Sequence, residues 1–188
     1  MSHSIEPTDN PFWDFSLQFY GQKGVSDILL WFQDECRVDV NLMLYCCWAG
    51  LSRTQILTGR DMTFLRNLVD RWQSEIVQPL RSLRQELKTD VHGVLAAEAA
   101  GLRVTLEQAE LEAERLQQNI LYFSAPQETN GYPDEIGGRQ NTISNLVLYL
   151  SQMRGQLDTF MMAQITALVD ALFEFQSENE SEFPRHHK

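Results

Sequence analysis

Between Asn10 and Gln176 the apolar residues recur at three- and four-residue steps, and strand-like alternation nowhere outweighs that spacing. Asn10-Pro11 is a helix-start pair, with Asn as N-cap and Pro at the first helical position. A first helix is predicted over Pro11–Tyr20, ending at Gly21, and a second over Val25–Glu35 after Gly24. Asp39 is the expected N-cap of a third, Val40–Leu51, which is apolar nearly all round and therefore reads as a central buried helix. Gly50 and Gly59 bracket the connection that follows.

From Met62 the stripe Leu65, Leu68, Val69, Trp72, Ile76, Leu80, Leu83, Leu87 is helical and runs in phase through Pro79. Proline removes a backbone donor and clashes with the preceding turn. A kink near Ser74–Gln78, or a second helix opened by Pro79, is predicted. After a break at Asp90–Gly93, a helix is expected over Val94–Phe123. Its seam of Leu102, Leu106, Ala109, Ala113, Leu116, Ile120 and Phe123 is spaced 4-3-4-3-4-3, three heptads long. Ala125–Asn141 reads as a long loop. A last helix is expected over Thr142–Gln176, bent at Gly155.

These elements predict an all-α fold, with short aromatic-rich N-terminal helices packed on long antiparallel helices in a helical bundle. The expected organisation is a flexible leader over 1–9, a single all-α domain over 10–176 and a disordered acidic, polar tail over 177–188.

Charge narrows the function classes. The 188 residues carry 15 Lys plus Arg against 26 Asp plus Glu, a net of −11. Such an acidic chain repels phosphates, so direct nucleic-acid binding is not expected. The N-terminus lacks a basic region followed by an apolar core, so no signal peptide is read. No uncharged run reaches the 18 residues of a membrane span. Cys36, Cys46 and Cys47 are an odd set with a vicinal pair. They fit reduced, core-packed thiols and a cytoplasmic setting better than a disulfide framework or a zinc site.

The stretch NPFWDFSLQFYG, Asn10–Gly21, followed by DVNLMLYCCWAG, Asp39–Gly50, resembles a family of uncharacterised bacterial proteins known as a domain of unknown function. WQSEIVQPLRSLRQELK, Trp72–Lys88, and AELEAERLQ, Ala109–Gln117, look like further pieces of it. The resemblance implies a small proteobacterial cytoplasmic protein. It implies no activity.

No catalytic constellation is visible. His3, His186 and His187 lie near the termini, and His92 sits in a turn. Glu107, Glu110 and Glu114 read as a solvated face, without the Glu-x-x-His pairs of di-iron bundles. Asp34, Glu35 and Asp39 form one carboxylate cluster, explained by capping and surface charge. Neither phosphate-binding glycine motif is present. No cofactor and no metal are expected, and the residues lean against an enzyme.

Two features stand out. Nine of the nineteen aromatics lie within Phe12–Trp48. They form either an aromatic core or a pocket for an apolar or aromatic ligand, lined by Phe12, Trp13 and Trp48, with Asp39 and Asn41 as polar groups. Residues 53–88 carry a net of +3, against −5 before and −9 after. Arg81, Arg84 and Lys88 share one side of a helix, to pair with the acidic helix that follows or to dock an acidic partner. The leading expectation is a non-catalytic interaction or regulatory module. Leu106 and Leu116 of the seam would meet an unknown protein partner or a second copy. The alternative is a small-ligand protein or enzyme using the aromatic cluster. A fainter third is a regulator that reaches a nucleic-acid machine through protein contacts.

Overall fold

The computed structural model describes residues 10–52, 55–125 and 135–179. The leader at 1–9 and the tail from 180 lie outside the described residues, as do His3, His186 and His187. The chain divides into two compact units, Met1–Met62 with Pro126–Lys188, and Thr63–Ala125. The described residues are helical almost throughout, as the periodicity predicts.

In the first unit, helix α1 is Pro11–Tyr20, α2 is Val25–Cys36 and α3 is Val40–Ser52. Asn10 caps α1, its Oδ1 accepting from the amides of Phe12 at 3.1 Å and Trp13 at 3.3 Å. Asp39 caps α3, its Oδ1 accepting from the Asn41 amide at 2.8 Å. Both devices satisfy amides that the first helical turn leaves without a partner. Helix α3 is buried over nearly its whole length. All three cysteines are free and buried. Burial pushes the Cys47 thiol up to about 12 and the Cys46 thiol well above its ordinary value. Both are therefore protonated, poorly nucleophilic core residues at neutral pH.

Gly50 is not part of a connection. It lies inside α3, where a Cβ would stand 2.4 Å from Thr142 Oγ1 and 2.6 Å from the Thr142 backbone. Thr142 belongs to α7, Glu135–Arg154, which begins within the stretch read as loop. Gly138 and Asn141 are loop-like by composition, but in α7 they are buried against the first unit's core. Next along that face, Asn145 is fully buried. Its Oδ1 accepts from the Leu57 amide at 2.8 Å, and its Nδ2 donates to the Gln55 carbonyl at 2.9 Å. One side chain thus satisfies the backbone where the chain leaves α3.

The expected long last helix is two. Gly155, with φ +78°, ends α7 in the left-handed region. Asp158 then caps α8, Thr159–Glu178, accepting from the Met161 amide at 2.8 Å. Helix α8 also runs two residues past the Gln176 boundary expected from sequence.

The remaining helices belong to the second unit, apart from the helical turn Gly59–Met62 that opens the first of them, which falls in the first unit. Helix α4 is Gly59–Trp72, a π-helical turn spans Gln73–Val77, α5 is Gln78–Glu86 and α6 is Ala100–Ser124. The kink expected near Ser74–Gln78 is this π turn, with the Gln78 amide bonded to the Gln73 carbonyl five residues back. Pro79 follows in the first turn of α5, where its missing N–H is tolerated. Helix α6 starts six residues later than Val94. Turns occupy those residues, with Val91 and Val94 exchanging backbone hydrogen bonds. His92 is exposed within this hairpin turn.

Candidate functional site

The π turn determines which residues of the α4–α5 rod face α6. It adds one residue to the helical repeat, so the packed phase slips by one position, about 100°. Before it, Leu65 and Val69 are buried. After it, Val77 is buried and Arg81 and Arg84 turn inward, whereas Ile76 and Leu83 of the uninterrupted stripe turn out. The stripe read from sequence is therefore broken at Ile76 and Leu83, while Leu80 and Leu87 stay half-buried.

Helix α6 runs antiparallel to α5. Arg84 Nε meets Glu110 Oε2 at 2.5 Å, and Arg81 meets Glu110 Oε1 at 2.7 Å and Glu114 Oε1 at 2.6 Å. Arg103 donates to the Leu87 carbonyl at 3.0 Å, and the Trp72 indole N–H donates to the Ala113 carbonyl at 2.9 Å. Glu110, expected to be solvated, is instead the buried centre of this cluster. Burial alone would raise its carboxyl, but the hydrogen bonds from Arg84 and Arg81 outweigh that and hold it below its ordinary value. A depressed carboxyl stabilises the fold above its unfolded pKa of about 4.3, and that stability is lost as pH falls through the lower folded value. Wild type should therefore lose stability steeply below about pH 4, and Glu110→Gln should flatten that limb in acid titrations followed by circular dichroism. An equal slope in both proteins would contradict the assignment.

With Glu110 inward, the heptad seam sits at the edge of the packed face. Ala113 is buried, Leu106 is half-buried, and Leu102, Ala109, Leu116 and Phe123 are exposed at seven-residue steps. Leu102, Ala109 and Leu116 each directly precede the inward residues Arg103, Glu110 and Gln117. On the rod, Ile76 and Leu83 directly precede Val77 and Arg84. A two-fold axis between antiparallel helices preserves this offset, so all five lie on one side of the hairpin. Leu102 is 54% exposed, Leu83 50%, Phe64 46%, Ile76 39% and Leu116 37%. Arg71, seven residues after Phe64 and so in the same row, pairs with Glu75, and further round α6 Arg115 pairs with Glu112. Val104, 53% exposed, and Leu111, 47% exposed, lie on the other side of α6.

The sequence candidates distribute as follows. Arg81 and Arg84 lie on internal carboxylates, as the pairing alternative expected, and Lys88 is exposed beyond the end of α5. Leu106 and Leu116 fall on the inner edge and the outer row of the apolar side. In the first unit, Phe12 and Trp48 touch, with ring centroids 6.1 Å apart, and Phe12 packs edge-on against Tyr45 at 5.5 Å. Phe15 stacks on Phe19 and meets Trp48 at 5.4 Å. Trp13 is half-buried. The Asp39 carboxylate is engaged in capping, and its amide donates to the Tyr149 hydroxyl at 2.8 Å. Asn41 is buried at the head of α3. Sequence reasoning set the arginines against the acidic helix that follows but read Glu110 itself as solvated. The matching stripes Arg81, Arg84 and Glu107, Glu110, Glu114 were the available signal.

Among the described residues, no group of three or more His, Cys, Asp or Glu is placed to hold a metal ion. No described helix is long and apolar enough to cross a membrane. Fold and surface together define an all-α protein whose second unit is a helical hairpin joined by a buried Arg–Glu cluster, with an exposed apolar row shared by α5 and α6. The chain belongs to a family described as Protein of unknown function (DUF2390), whose family model matches residues 11–121. Comparison with curated proteins gives no match, and neither does comparison with solved structures.

Proposed function

We propose that this protein is a non-catalytic cytoplasmic interaction module, and that the apolar side of the α5–α6 hairpin is its contact surface. The observation behind this reading is the set Ile76, Leu83, Leu102, Ala109 and Leu116, displayed on one side of a hairpin joined by a largely buried Arg–Glu cluster. These side chains expose roughly 400 Å² of apolar area, within the range of the largest patch on an ordinary monomer. A standard interface uses about 800 Å² per partner, a little over half of it apolar. The patch is therefore the right size for one interface. In a cell extract the wild-type chain should elute well above its monomer mass of 21.7 kDa. Leu83→Glu with Leu116→Glu, at unchanged helix content, should elute at that mass. Wild type eluting as a monomer would overturn the proposal.

A second reading, an apolar-ligand site in the aromatic cluster, is favoured by Ser16 Oγ and Trp48 Nε1. Both are buried without a hydrogen-bond partner among the described residues. Native mass spectrometry of gently purified protein tests it. A small-molecule adduct lost on denaturation supports the ligand site, and a bare protein mass counts against it.

A further inference from the structure

Resting on the interaction reading, we infer that the hairpin's partner is a second copy of this chain, paired antiparallel along α6 so that Ala109 of one copy faces Leu116 of the other. The exposed row Leu102, Ala109, Leu116, Phe123 advances by seven residues, about 10.5 Å per step. Two such rows aligned antiparallel about the midpoint between Ala109 and Leu116 put a small residue opposite a large one in both central layers. Leu102 then meets Phe123 at each end. A parallel alignment would set Ala109 on Ala109, leaving a gap, and Phe123 on Phe123. Interdigitation of small with large residues is what close helix packing requires. The antiparallel arrangement is also a closed two-fold, in which one patch serves both copies.

Leu83 and Ile76, on the same side of the hairpin, would extend the contact from two helices to four. Charge permits this pairing. Thr63–Ala125 carries seven basic and nine acidic residues, a net of −2, although the whole chain carries −11. The hairpin can therefore meet itself without the repulsion the rest of the chain would impose. Its flanking charges are already neutralised by the Arg71–Glu75 and Arg115–Glu112 pairs.

Sedimentation equilibrium of the purified full chain should give twice the 21.7 kDa mass. Leu83→Glu with Leu116→Glu should give the monomer mass, association weakening at least tenfold, while Leu17→Glu, on the exposed side of α1, should leave the dimer intact. Register is tested separately with chains that keep their native fold. Ala109→Cys mixed with Leu116→Cys should form a disulfide-linked dimer under mild oxidation, and Ala109→Cys alone should form far less. The buried native thiols leave the engineered ones as the reactive pair. Wild type monomeric at about 100 µM would overturn self-pairing, and so would a dimer indifferent to the double substitution. If wild type is monomeric when pure, high-mass elution from extract that the double substitution abolishes would leave the interaction reading standing with a different partner. Equal disulfide yield from Ala109→Cys alone would overturn the antiparallel register.

Discussion

Replacing Glu110 with Ala should destabilise the protein by about 3–5 kcal/mol, the cost of leaving buried charge without its counter-charge. Glu110 bridges Arg81 and Arg84, and all three side chains are largely withdrawn from water. Deleting the carboxylate strands the Arg84 guanidinium in the α5–α6 contact and leaves Arg81 with Glu114. The pair itself need not be the stabilising element, since desolvation offsets much of its attraction. Replacing Arg81, Glu110 and Arg84 together by Met, Leu and Leu should therefore recover most of the loss. Urea unfolding of the two variants separates these effects. If Glu110→Ala loses less than about 1 kcal/mol, the value of an exposed pair, the cluster is not the lock on the hairpin.

The second large effect is expected at Gly50. Glycine inside a helix normally costs about 1 kcal/mol relative to alanine, so Gly50→Ala would stabilise an ordinary helix. Here the new methyl would lie 2.6 Å from Thr142 N and Cα. Backbone cannot rotate away as a side chain can, so α3 and α7 must move apart and loosen the core between them. A loss of about 3 kcal/mol is expected, the top of the usual range for overpacking. Thr142→Ala should not rescue it, because the clash involves backbone as well as Oγ1. A neutral or stabilised Gly50→Ala would show that the two helices are not held at this separation.

Much of the fold was legible wherever one residue has one local job. Asn10 and Asp39 cap the helices they were expected to cap, and Pro79 follows a local irregularity as its chemistry demands. Periodicity misled where backbone geometry interrupted it. The stripe through Ile76 and Leu83 assumes an unbroken repeat, and the one-residue slip of the π turn leaves those two outside while Leu80 and Leu87 stay half-buried. The stripe through Gly155 likewise keeps its phase across a break, because Gly155 and Asp158 end one helix and start another within four residues. Gly138 and Asn141 read as loop because composition cannot distinguish a flexible glycine from one that allows close helix approach. Of the candidate site, the seam residues were legible but not their orientation. That depends on Glu110 being drawn inward by two arginines some 26 to 29 residues away.

The most direct test of the central claim is site-specific photo-cross-linking in cells, with the photoreactive residue at Leu116 and, for comparison, at Leu111 on the opposite side of α6. A strong adduct from position 116, abolished by Leu83→Glu, with little from position 111, is the predicted result. Equal adducts from both positions, or none from 116, would contradict the assignment of the hairpin's apolar side as the contact surface.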